Sequence, residues 1–104
     1  MFVCQWSLVI VFGKLSEAMQ VIKQWGEEKF RSSGFKKSKN SRVITGYIGE
    51  SASLVIDEYT FESLNDFEKA LGDMSQPQFQ EFSKRLAPLV VPGSQKWTVF
   101  RIVK

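Results

Sequence analysis

Residues 42–71 read "RVITGYIGESASLVIDEYTFESLNDFEKAL". Two runs rich in β-branched and aromatic residues, Arg42–Ile48 and Leu54–Tyr59, flank Gly49, Glu50 and Ser51, which predicts a β-hairpin. Phe61, Leu64, Phe67 and Leu71 then recur at spacings of three and four, the period of a helix, with Gly72 as its stop. Alternation along the hairpin puts Ile44 and Ile48 on one face with Leu54 and Ile56, and Thr45, Tyr47, Val55, Asp57 and Tyr59 on the other. The uniformly apolar set is assigned to the core and the mixed set to an open face.

Upstream, Phe2–Phe12 reads as a further strand. Its even positions, Phe2, Cys4, Trp6, Leu8, Ile10 and Phe12, are all apolar, whereas Val3, Val9 and Val11 share the odd face with Gln5 and Ser7. Ser16 is placed to cap a following helix, with Glu17 near its start. Leu15, Ala18, Met19, Ile22, Trp25, Gly26, Lys29 and Phe30 give that helix its stripe. It is expected to stop near Ser32–Gly34, with Gly34 in the left-handed conformation. Downstream, a short helix starting around Ser75 tolerates Pro77 in its first turn, turns Phe79, Phe82 and Leu86 inward and ends at Pro88. "KWTVFRIVK" closes the order as a last strand, with Trp97, Val99 and Arg101 alternating with Thr98, Phe100 and Ile102.

The order is βαββαβ with the second helical region split. Right-handed crossovers fold it into one α+β domain, residues 1–104: a ferredoxin-like, four-stranded antiparallel sheet of order 4-1-3-2 with helices on one face. An open face bearing Val9, Tyr47, Val55, Tyr59 and Trp97 is too apolar for water, and a second copy of the sheet is its expected cover.

Two stretches carry a family resemblance: "DEYTFESLNDFEKAL" (57–71), a strand running into a helix with Phe and Leu anchors, and "FQEFSKRLAPLVVPGSQKWTVFRIV" (79–103), a helix stopped by a proline-bearing turn before a Trp-containing strand. Over nearly its whole length the chain resembles the dimeric α+β barrel superfamily of ferredoxin-like proteins, which includes the NIPSNAP proteins and the antibiotic-biosynthesis monooxygenases. The resemblance implies a homodimer and a pocket inside the barrel. A scaffold of this kind hosts unrelated activities, so function rests on the site.

Composition narrows the chemistry. The chain has no histidine, which removes the usual base near neutral pH, the commonest metal ligand and the usual haem ligand. Haem-degrading relatives rely on a histidine ligand, so that branch is set aside, and neither metal nor cofactor is expected. A single cysteine, Cys4, cannot form an internal disulfide and reads as a buried small hydrophobe in a reducing cytoplasm. No apolar run is long enough for a membrane span, and the first residues lack the basic leader of a signal peptide.

Six cations and no acid lie between Lys29 and Arg42, against eight cations and eleven acids elsewhere. Such a run suits phosphate, and the same βαββαβ order occurs in RNA-recognition domains. Their third strand stacks bases on paired aromatics, however, and here "SLVIDEY" supplies Asp57 and Glu58. Nucleic acid is therefore not an expected partner. Lys29 and Arg31 are read as complementing the helix dipole, and the lysines after them as solvated. Lys36, Lys37, Lys39 and Arg42 would attract an acidic ligand if the loop lay at a barrel mouth.

The expected pocket lies on the open face, with Gln5, Ser7, Val9, Arg42, Tyr47, Val55, Asp57, Tyr59, Trp97 and Arg101 as ligand-binding residues. Asp57 and Arg101 are expected to pair. The ligand class is hydrophobic or amphipathic, fatty-acid-like compounds with a carboxylate included. The alternative is a cofactor-independent monooxygenase acting on an aromatic or polyketide-like substrate, with Tyr47, Tyr59, Trp6 and Trp97 positioning it and Asp57 as base.

Overall fold

The computed structural model describes Met1–Lys104. Its strands are β1 (Phe2–Val9), β2 (Asn40–Thr45), β3 (Leu54–Phe61) and β4 (Lys96–Arg101). Its helices are α1 (Leu15–Ser32), α2 (Leu64–Asp73) and α3 (Pro77–Leu86). The strands form one antiparallel sheet in the order β2-β3-β1-β4, the expected 4-1-3-2 read from the other edge. The fold is ferredoxin-like α+β, with all helices packed on one face of the sheet.

Pro77 opens α3 as expected, where its missing N–H costs nothing. Ser63, not singled out in the sequence, accepts from the Asp66 backbone N–H and caps α2. Other details differ. Helix α1 begins at Leu15 with no side-chain cap. Gly34 has no positive φ. It opens a 3-10 turn, Gly34–Lys37, and lies so close to α2 that a Cβ there would meet the Ala70 Cα at 3.1 Å. That turn drives Phe35 fully into the core, with its ring 4.5 Å from that of Tyr59, so the basic run contains a hydrophobic anchor.

The face assignment of β2, β3 and β4 is corrected by the register: Thr45, expected on the open face, pairs with Val55, and Ile44, expected inside, pairs with Ile56. Trp6 pairs with Asp57, Cys4 with Tyr59, Leu8 with Val55 and Phe2 with Phe61. Directly paired residues share a face, so Val55, Asp57, Tyr59 and Phe61 lie with the even positions of β1 under the helices. Trp97 pairs with Trp6 and Arg101 with Phe2, which puts β4's odd positions on the helix side too. The open face instead carries Val3, Gln5, Ser7 and Val9 of β1, Leu54, Ile56 and Glu58 of β3, Arg42 and Ile44 of β2, and Thr98 and Phe100 of β4. Phe12 and Ile48, expected inside, are 97% and 89% exposed, because the strands that hold them end earlier than expected.

Two clusters fill the space beneath the helices. One joins Trp6, Leu8, Ile10 and Val55 to Ala18, Ile22 and Trp25 of α1 and Phe79 and Leu86 of α3. The other joins Cys4, Tyr59 and Phe61 to Phe35, Phe67 and Ala70. No helix is long and apolar enough to cross a membrane.

Candidate functional site

Helix α1 buries Ala18, Val21, Ile22, Trp25 and Lys29, a single stripe at spacings of three and four. Its last member is a cation. Lys29, expected to complement the helix dipole from the last turn, turns inward instead; its side chain is 3% exposed, held between α1 and the middle of the sheet. There Lys29 Nζ donates to Asp57 Oδ2 at 3.1 Å and to the Tyr59 hydroxyl oxygen at 3.3 Å, while the Tyr59 hydroxyl donates to the same Asp57 oxygen at 2.8 Å. Asp57, expected to pair with Arg101, pairs with Lys29; Arg101 lies exposed opposite Phe2, toward the other end of β1.

Four aromatic rings surround the ammonium group. Trp25 stands at 4.8 Å, Trp6 and Phe35 at 5.1 Å and Tyr59 at 5.2 Å from Nζ to ring centroid. Such contacts strengthen when water is excluded. Burial pulls the Lys29 pKa below the usual lysine value, with the Asp57 charge and hydrogen bond opposing it. Burial pushes the Tyr59 phenol up, and the neighbouring Asp57 carboxylate pushes it further.

Beside this cluster a hollow of about 190 Å³ opens between α1, the sheet and the end of α2. Trp6, Trp25, Trp97, Lys29, Leu71, Met74 and Gln95 line it, so every tryptophan of the chain contributes a wall. Trp6 and Trp97 stack at 6.2 Å with 19° between their planes, and Trp25 meets Trp6 edge-on at 5.3 Å. The Trp25 indole N–H, though buried, has no hydrogen-bond partner. Asp57 and Tyr59 line a second, larger groove of about 530 Å³ between α1 and β2. The ion-paired cluster thus stands between the two.

On the opposite, open face a polar cluster interrupts the apolar surface. Glu58, 6% exposed, accepts from Gln5 Nε2 at 2.8 Å and from Arg42 Nε at 2.6 Å. Those contacts, Arg42 above all, hold its carboxyl below the usual glutamate value. The basic run is largely neutralised: besides Lys29 and Arg42, Arg31 pairs with Glu28 at 3.6 Å, and Lys37 and Lys39 reach Asp66 and Glu62 at 3.8 Å.

The expected site residues therefore divide. Asp57, Tyr59 and Trp97 meet around Lys29 and its hollow, and Val55 is core. Gln5 and Arg42 meet on Glu58, with Ser7 and Val9 further along the same open face. Tyr47 lies in the β2–β3 loop, 91% exposed, and Arg101 stands apart. Lys29, Trp25 and Glu58 went unremarked as site residues in the sequence, although Trp25 and Lys29 sit on α1's core stripe.

Chemically, the hollow offers flat apolar walls beside the Lys29 amine. The buried Trp25 N–H is left without an acceptor, at a cost of about 1–3 kcal/mol.

No family model matches the chain, and no curated protein matches its sequence. Solved structures do. A NIPSNAP family protein from Agrobacterium tumefaciens superposes with a TM-score of 0.74 at 22% identity, covering 96% of this chain and 90% of its own. A NIPSNAP domain protein from Burkholderia xenovorans gives 0.76 at 16% identity, covering 99% and 95%. A candidate antibiotic biosynthesis monooxygenase from Nitrosomonas europaea gives 0.73 at 9% identity, covering 100% of both. At such identities the likeness speaks of fold alone: this chain has the ferredoxin-like α+β fold also seen in these NIPSNAP proteins and in the protein described as an antibiotic biosynthesis monooxygenase.

Proposed function

We propose that the protein is a homodimeric small-molecule binder whose ligand, largely apolar with one uncharged acceptor end, occupies the tryptophan-lined hollow of each copy. The carrying observation is the convergence of all three tryptophans and one buried lysine on a cavity of about 190 Å³. A cavity of about 150 Å³ accepts benzene, so one substituted ring or a short branched chain fits and a long acyl chain does not. A carboxylate end is disfavoured because Asp57 already neutralises Lys29 and a second anion would be buried without a partner. On both counts this reading departs from the fatty-acid-like ligand expected from the sequence.

The second copy is argued from the open face. Val3, Val9, Ile44, Leu54, Ile56 and Phe100 share it, and Phe100 is 52% exposed. An apolar face of that extent on an antiparallel sheet calls for a cover.

Because every tryptophan borders the hollow, intrinsic fluorescence reads it directly. Titration with single-ring aromatic alcohols and ketones is expected to quench or shift the emission saturably; a panel that leaves the spectrum unchanged would remove the reading.

Cofactor-independent oxygenation is the second reading, favoured by an amine whose burial biases it toward the neutral, basic form beside an aromatic-lined hollow. Two solved structures of this fold carry monooxygenase descriptions. Oxygen uptake with quinol or anthrone substrates tests it, and no uptake above the buffer rate sinks it.

A further inference from the structure

The Lys29 cluster holds the parts of a covalent capture site. Its amine borders the hollow. A carboxylate oxygen lies 3.1 Å from it and a phenol oxygen 3.3 Å, and those two groups are themselves hydrogen-bonded at 2.8 Å. Every other lysine of the chain is exposed. Resting on the ligand-binding reading above, we propose that Lys29 captures an aromatic aldehyde or ketone in the hollow as a reversible imine, with Asp57 and Tyr59 relaying its protons.

The steps balance without any oxidant or reductant. Asp57 takes one proton from the Lys29 ammonium, and the freed lone pair on Nζ forms the C–N bond to the carbonyl carbon. The carbonyl π pair moves to oxygen, which takes that proton through the Tyr59 hydroxyl to give the carbinolamine. Asp57 then accepts a second proton from the nitrogen and the relay delivers it to the carbinolamine hydroxyl. The C–O bond breaks, water leaves with the bonding pair, and the nitrogen lone pair closes the C=N bond. One ammonium and one carbonyl become one iminium and one water.

Three features of the site favour this outcome. The iminium keeps the positive charge of the ammonium, so Asp57 stays paired and the rings of Trp6 and Trp25 still face a cation. Burial increases the share of neutral amine relative to exposed lysines, and the neutral amine is the nucleophile. The apolar walls of Trp6, Trp25 and Trp97 hold a flat ring against the amine.

Benzaldehyde with sodium cyanoborohydride, which reduces imines in place, tests the proposal at pH 7 on the full chain. Peptide mapping is expected to find the benzyl adduct on Lys29 in excess over each exposed lysine by about tenfold or more, because a carbonyl held against the amine reacts ahead of one met by diffusion. Saturation-transfer NMR with benzyl alcohol, which fits the hollow and cannot form an imine, reads non-covalent binding separately. Binding without preferential labelling of Lys29 overturns the capture proposal and leaves the binding reading standing; absence of both binding and labelling removes both. Lys29→Arg keeps the charge pair and cannot form an imine, so it should bind benzyl alcohol and lose the fast labelling. Should that variant fail to fold, the wild-type peptide map still decides.

Discussion

Asp57→Asn keeps the side-chain shape and removes the charge that Lys29 faces inside the protein. The amide oxygen still accepts from Lys29 and Tyr59, and the four rings still face the ammonium, so the variant isolates the ionic contribution. At 3.1 Å, an effective dielectric of about 20 makes the lost attraction about 5 kcal/mol. Lys29 limits the damage by shedding its proton, which at pH 7 costs about 4.6 kcal/mol from an ordinary lysine pKa. Breaking a buried pair at one end typically costs about 3–5 kcal/mol, and the estimates agree on that range. Total stability for a domain of this size is on the order of 5–15 kcal/mol, so the variant folds weakly or not at all. Urea unfolding at pH 7, followed by tryptophan emission, should show the midpoint falling by about 2 M or more for a slope near 1.5 kcal/mol/M. The deficit should shrink as pH rises toward 10: the unfolded lysine binds a proton that the folded one has released, so raising the pH favours the folded form. Lys29→Met with Asp57→Asn removes both charges and should recover to within about 1 kcal/mol of the wild type, since a buried pair replaced whole is often neutral. An Asp57→Asn protein within about 1 kcal/mol of the wild type refutes the argument, as does a double variant no better than the single.

Two further outcomes follow from the same geometry. Burial pushes the Cys4 thiol from 9.0 up to about 11; the unfolded thiol ionises first, so Cys4's contribution is complete below pH 9 and lost as pH climbs toward 11, about 2–3 kcal/mol in all. Cys4→Ala should therefore flatten the alkaline decline of the urea midpoint across that window, and an unchanged profile would contradict it. On the open face, Ile56→Arg places a cation beside Ser7 and Ile44. Sedimentation velocity should show a dimeric wild type and a monomeric variant of unchanged circular dichroism, and a variant that still sediments as a dimer would move the interface elsewhere.

The element order was legible because each signal was local. The all-apolar even positions of β1, the helical stripe of Leu64, Phe67 and Leu71, and Pro77 each act within a few residues, and the sheet order followed from connection rules. Facing in β3 was not legible, because "LVIDEYTF" carries one acid on each parity, Asp57 and Glu58, with apolar residues on both. A charge goes inward only with a partner, and the partners differ in how visible they are. Glu58 meets Arg42 and Gln5 on neighbouring strands, whereas Asp57 meets Lys29, a helix residue 28 positions away, in a stretch that reads as solvated charge. Two clues were present. Phe61 continues the parity of Asp57 and Tyr59, and Lys29 continues the stripe of Ala18, Ile22 and Trp25. The hollow itself depends on long-range packing of Trp6, Trp25 and Trp97, which no local pattern encodes.

The Lys29–Asp57 contact also bears on the order of events in folding. Neither charge gains from leaving water until the aromatic walls are in place, and those walls come from β1, β4, α1 and the turn at Phe35. Hydrophobic collapse can proceed without the pair, but the last dehydration of α1 against the sheet cannot. Loss of the pair is therefore expected to speed unfolding far more than it slows folding, which stopped-flow folding and unfolding rates of the double variant would read. By the same token the pair sets the rotational phase of α1: a helix seated one turn out of register would bury Lys29 and Asp57 apart, and the chain would come away rather than settle there.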